Sequence, residues 1–109
     1  MEFAYTDEQL EIERAVSAIC KRFDADYWRT RDRDGGFPLD FHAAIAQAGW
    51  LGIAMPVEVG GAGLGITEAA IMMRTISASG AGMSGASAIH MNIFGLHPVV
   101  VNGTPEQKQ

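Results

Sequence analysis

Residues 6–23, TDEQLEIERAVSAICKRF, read as a helix from its start to its buried face. Thr6-Asp7-Glu8-Gln9 has the form of a capping box, in which the Thr6 hydroxyl and the Gln9 side chain each satisfy the other residue's backbone N–H. Behind it, Ile12, Val16, Ile19 and Phe23 recur at spacings of 4, 3 and 4, one apolar face of a helix. Working outward, the charged run Asp24–Asp34 either continues this helix or frays, and Gly35-Gly36 ends it. Pro38 suits a first helical position; Phe41, Ala44, Ile45 and Ala48 form a second stripe, and Gly49 a left-handed stop. Trp50–Met55 is apolar and ambiguous, and Pro56–Gly65 is a loop. Thr67 caps a third helix, with Glu68 in its first turn, running to about Ser79. Gly80–Gly82 break it, a fourth helix covers about Met83–Phe94, and a short fifth covers Pro98–Val101. No segment alternates for long enough to make a strand. The spacing therefore predicts an all-α fold, an antiparallel helical bundle forming a single domain over 1–109.

Charge is distributed very unevenly. The first forty residues carry sixteen charged side chains, whereas Glu58, Glu68 and Arg74 are the only ones between Phe41 and Pro105. From Thr75 to Pro105 there is none. A domain of this size buries roughly two thirds of its surface, and the remainder must tolerate water. The uncharged half is therefore expected to pack against something beyond its own fold: more chain, another subunit, a cofactor or a membrane. Asn102-Gly103 reads as a helix stop and Thr104-Pro105-Glu106-Gln107 as a new start, so the chain is expected to be a fragment of a longer protein.

Composition excludes several classes. Net charge is −5, and Lys21, Arg22, Arg29, Arg31 and Arg33 are interleaved with Asp24, Asp26, Asp32 and Asp34, a solvated surface and not a nucleic-acid patch. The single cysteine, Cys20, allows no internal disulfide and no Cys-rich zinc site. Met1–Asp7 has neither the basic region nor the apolar core of a leader, so the cytoplasm is the expected location. Gly80–Val101 is long enough to span a bilayer, but its four glycines, His90, Asn92, His97 and Pro98 make it a poor membrane helix.

The fourth segment holds the candidate site. On helical spacing Ser87, His90, Met91 and Phe94 share one face, combining a hydroxyl, a titratable ring, an adaptable thioether and an aromatic. Four of six methionines (Met72, Met73, Met83 and Met91) lie on this segment and the one before it, and thioethers suit an irregular apolar wall. Tight helix packing around a hydrogen-bonded core histidine fits the same residues. Gly60-Gly61-Ala62-Gly63-Leu64-Gly65 mimics a dinucleotide loop, but its spacing is not G-x-G-x-x-G and no second strand follows, so it reads as a conformational loop. His90 and His97 stand roughly 10 Å apart along a helix, too far to share one ion, so no metal is expected. Glu58 and Glu68 read as a loop hydrogen-bonder and a helix-start charge, or as a base with a raised pKa.

Three stretches together carry a family resemblance: Phe3-Ala4-Tyr5-Thr6-Asp7-Glu8-Gln9, then Gly49-Trp50-Leu51-Gly52-Ile53 with Pro56-x-Glu58-x-Gly60-Gly61-x-Gly63, then Asn102-Gly103-Thr104-Pro105-Glu106-Gln107-Lys108. In order and spacing the chain resembles the N-terminal helical domain of the acyl-CoA dehydrogenases. The resemblance implies a three-domain FAD enzyme, a homo-oligomer, that dehydrogenates an acyl-CoA at its α and β carbons and passes electrons to an electron-transfer flavoprotein. Its base is a glutamate of the C-terminal domain, so this chain is expected to hold no catalytic residue, to bind no FAD alone and to be inactive alone. By position the resemblance puts Ser87, His90 and Phe94 at the far end of the acyl pocket, and the helical face adds Met91. Two other readings stay open: a stand-alone helical interaction module, and a flavin monooxygenase or acyl-CoA oxidase of the same architecture.

Overall fold

The computed structural model describes residues 4–108; Phe3, which opens the first motif, lies outside them. Every regular element among these residues is helical. Helix α1 spans Asp7–Cys20 and begins as its sequence dictates. The Gln9 N–H donates to Thr6 Oγ1 at 3.2 Å and the Thr6 N–H to Gln9 Oε1 at 3.0 Å. Ile12, Val16 and Cys20 are buried along its inner face.

The charged run neither continues α1 nor frays. It forms a separate helix, α2, over Ala25–Asp34, because the Asp24 carboxylate accepts the Tyr27 N–H at 3.0 Å and caps a new start. Between the two helices the chain turns, and Phe23 points inward. Its ring meets Tyr27 and Phe41 edge-on at 5.0 and 5.4 Å, and Trp28 meets Tyr27 and Phe41 at 5.0 Å each. Such pairs contribute about 0.5–1.5 kcal/mol each beyond the area they bury. This aromatic cluster seats α2 on α3, Leu39–Gln47. Pro38 caps α3 instead of opening it, and Ala48 is exposed just past its end, while Phe41, Ala44 and Ile45 are buried as the stripe requires. Gly49 stops the helix at φ 87°, a conformation closed to most side chains.

Trp50–Gly65 is a loop with two short 3-10 turns, Trp50–Gly52 and Val57–Val59. It is anchored by Ile53, which is fully buried, and by the close approach of Gly61 to Met55. A Cβ on Gly61 would stand 2.2 Å from the Met55 carbonyl oxygen. Helix α4, Ile66–Ile76, starts at an extended Gly65, so Thr67 sits inside the first turn and caps nothing. After a wide turn over Ser77–Ala81, Gly80 at φ 104° reverses the chain into α5, Gly82–Phe94. Helices α4 and α5 run antiparallel: Ile76 lies against Gly85 at one end, and Ile66 shares a groove with Ile93 and Phe94 at the other. Short helices α6, His97–Asn102, and α7, Pro105–Lys108, complete the described chain. The second capping box also forms, with reciprocal bonds between Thr104 and Gln107 at 2.9 and 3.2 Å.

Candidate functional site

Helix α5 has two distinct sides. Gly85, Ala86, Ala88, Ile89 and Ile93 are buried against the rest of the domain. The small residues serve close packing here. A Cβ on Gly85 would lie 3.2 Å from both the Trp28 ring and the Ile76 side chain, so the indole rests almost on the helix backbone. This contact fixes the rotation of α5 and turns Ser87, His90 and Met91 outward, where all three are exposed. Phe94 is half-buried at the edge of the same face, its ring centroid 5.2 Å from that of His90. The packing reading thus holds for the inner side of α5, and His90 is not a core histidine of this domain. The four predicted residues do share one face.

A second feature adjoins it. An apolar groove of 370 Å³ lies between the 54–66 loop and the α5–α6 end of the chain. Phe94 lines it together with Met55, Leu64, Ile66, Ile93, His97 and Val100, whereas Ser87, His90 and Met91 stand outside. The groove residues come from two segments, 54–66 and 93–100, separated by more than twenty-five positions, and no local pattern joins them. Other large apolar side chains of the uncharged half are exposed: Met83, Met91, Leu96 and Val101 are each more than half exposed.

The other candidates take simpler roles. The N–H groups of Gly60, Gly61, Ala62, Gly63 and Leu64 donate to the carbonyls of Val57, Pro56, Gly52, Met55 and Ile53 at 2.8–3.0 Å. With its donors committed internally, the glycine-rich loop does not fit a phosphate or a flavin pyrophosphate. Glu58 is exposed to solvent, and Glu68, half-buried, sits in the first turn of α4 as a helix-start charge. No group of three or more His, Cys, Asp or Glu that could hold a metal occurs among the described residues. The His42 ring meets Phe37 and the His90 ring meets Phe94 at tilted angles of 58° and 53°, and His97 lines the groove. Cys20 is buried, and burial pushes its thiol above its ordinary pKa, with the neighbouring Ser79 hydroxyl opposing the shift, which disfavours the reactive thiolate. Within the described residues no helix is long and apolar enough to cross a membrane.

This arrangement is a helical domain with a bare flank that carries no charged side chain from Thr75 to Pro105. A family model for the acyl-CoA dehydrogenase N-terminal domain matches residues 6–109. The chain belongs to the acyl-CoA dehydrogenase family. It is 30% identical to a probable acyl-CoA dehydrogenase, YngJ, of Bacillus subtilis over 100% of its length, and 31% identical over 96% to the mitochondrial isovaleryl-CoA dehydrogenase of Solanum tuberosum. The acyl-CoA dehydrogenase FadE12 of Mycobacterium tuberculosis is 25% identical over 74% of the chain. The chain spans 28%, 26% and 21% of these relatives, about a quarter of their length. No solved structure gives a significant match. The imidazole on the open face of α5 is picked out by helical spacing; the adjoining groove escapes it.

Proposed function

We propose that this domain forms the distal wall of the acyl pocket in a larger FAD-dependent acyl-CoA dehydrogenase. One observation carries the reading: the outward face of α5 bears Ser87, His90, Met91 and Phe94, and the thirty-one residues around it, Thr75–Pro105, hold no charged side chain. An uncharged face with flexible thioether and aromatic walls suits an acyl chain. The reaction is α,β-dehydrogenation of an acyl-CoA thioester, with FAD as cofactor and an electron-transfer flavoprotein as acceptor, in a homo-oligomer of the cytoplasm. No step of that reaction is assigned to residues of this chain. Their part is to bind and orient the far end of the substrate and to exclude water from it. The domain is one piece of a longer polypeptide, and FAD is held by parts beyond it, in keeping with the committed donors of the glycine-rich loop.

The test is to purify the full polypeptide as encoded, load it with FAD, and follow reduction of a dye acceptor with acyl-CoAs of graded length. Saturable, length-dependent turnover is the expected result. A full polypeptide that binds no FAD and turns over no acyl-CoA, yet captures a protein partner through the α5 face, would establish the interaction-module reading instead.

A further inference from the structure

In Thr75–Pro105 the side chains of Thr75, Ser79, Asn92 and Thr104 are hydrogen-bonded, whereas those of Ser77, Ser84, Ser87, His90, His97 and Asn102 make no hydrogen bond among the described residues. The Thr75 hydroxyl donates to the Ile71 carbonyl at 2.8 Å, Ser79 to Ile76 at 2.6 Å, and the Asn92 amide to Ala88 at 3.1 Å, so these three are satisfied by their own helices. Of the unbonded side chains, His97 lines the groove, whereas Ser87 and His90 stand one turn apart on the open face of α5, with the Phe94 ring beside the imidazole. Water satisfies them while the face is bare. Once an acyl chain covers the face, an unpaired hydroxyl and imidazole each carry a desolvation penalty unless the ligand supplies a partner.

Resting on the acyl-pocket reading above, we infer that Ser87 and His90 recognise a neutral oxygen, a hydroxyl or carbonyl, at the distal end of the acyl chain. The charge pattern selects neutral over anionic. No Lys or Arg lies between Thr75 and Pro105, and Arg74, the cation just before that stretch, donates to the Tyr5 hydroxyl at 2.7 Å. A buried carboxylate without a fixed cation is far more costly than a buried hydroxyl with two hydrogen-bonding neighbours. A chain ending in a methyl group would leave both Ser87 and His90 unpaired, so the site discriminates by the absence of a partner as well as by its presence.

The experiment uses the full FAD-loaded polypeptide and straight-chain acyl-CoAs, each paired with its terminal-hydroxy and terminal-carboxy counterpart of equal length. At the length that reaches the face, the hydroxy-ended substrate should exceed the methyl-ended one by about tenfold in kcat/KM, the size of a hydrogen-bonding difference between the two. His90→Phe should reverse that ratio, and His90→Gln, which keeps a donor and an acceptor, should retain part of it. A merely structural role for His90 would lower all substrates alike and leave the ratio in place, which overturns the inference, as does a preference for the carboxy-ended substrate. Turnover with no preference between hydroxy and methyl ends overturns this inference alone; no turnover of any acyl-CoA overturns the acyl-pocket reading and this inference with it.

Discussion

Helices α2 and α5 touch at Trp28 and Gly85, and each buries one side, but their outer sides differ completely. The outer side of α2 carries Asp26 paired with Arg29 and Arg33 paired with Asp34, and Arg33 holds the Asp34 carboxyl below its usual pKa. Such exposed pairs contribute little to stability, at most about 1 kcal/mol, but they keep a helix in water. The outer side of α5 is as open as that of α2 and carries no charge. Both helices come from one chain under one set of folding constraints. The bare side of α5 is what the proposed pocket wall needs, a surface suited to being covered, and α2 shows how this chain equips a surface for water.

The largest effect that would break the comparison is loss of the contact that sets it up. Trp28 is 6% exposed, packs on Tyr27, Phe41 and the α5 backbone, and its indole N–H has no acceptor among the described residues. Trp28→Ala therefore loses packing and no hydrogen bond. A cost of about 3–5 kcal/mol is expected, read as a fall in the urea midpoint by circular dichroism. A cost below about 1 kcal/mol would mean that Trp28 does not set the rotation of α5.

Next comes the loop that forms the opposite wall of the groove. Gly61→Ala places a methyl group against the Met55 carbonyl, where backbone must move. The expected loss is about 1–3 kcal/mol, again by urea denaturation, with the hydrogen-bonded amides of 60–64 exchanging faster with deuterium. Unchanged exchange would show that the loop yields without loosening the groove.

What the sequence revealed and what it hid follow from the range of the interactions involved. Both capping boxes, the Gly49 stop and most of the inner stripes of α1 and α3 rest on residues within four positions of one another and were legible, although Ile19 is only half-buried and Phe23 and Ala48 fall outside their helices. The break between α1 and α2 was not, because no Gly or Pro marks 21–24; Asp24 caps there only once Phe23 has turned into a cluster completed by Phe41. Thr67 misled for a related reason. A cap needs extended backbone, and Gly65, two residues earlier, adopts it first. On α5 the 3.6-residue period gave the shared face of Ser87, His90, Met91 and Phe94, but which side would be inward depended on Trp28, far away in the chain.

A smaller effect bears on what covers the outer side. In the full polypeptide His90→Ala opens volume beside Phe94, and each further methylene buried there gains about 0.8 kcal/mol, close to fourfold in kcat/KM. Longer acyl-CoAs should gain over short ones, while the pH profile of proton abstraction stays in place. An unchanged length profile would remove His90 from the pocket wall, and loss of activity at every length with flavin retained would make it part of the chemistry.

The smallest effect is the sharpest test of the comparison itself. Met91 is 69% exposed, so Met91→Lys in the 109-residue chain gives α5 the kind of outer charge that α2 already has. Substitutions at such surface positions usually change stability by no more than about 0.5 kcal/mol, and the urea midpoint should hardly move. The exposed apolar side chains of the uncharged half predict that the short chain self-associates, and the added charge should weaken that association. In the full polypeptide the same change should be harmful, since a lysine would then be buried against whatever covers the face, without a partner. Sedimentation and denaturation of the short chain, set beside expression and flavin content of the long one, make the measurement. A lysine tolerated equally in both would mean that the outer side of α5 stays in water, and the contrast with α2 would then be one of composition alone.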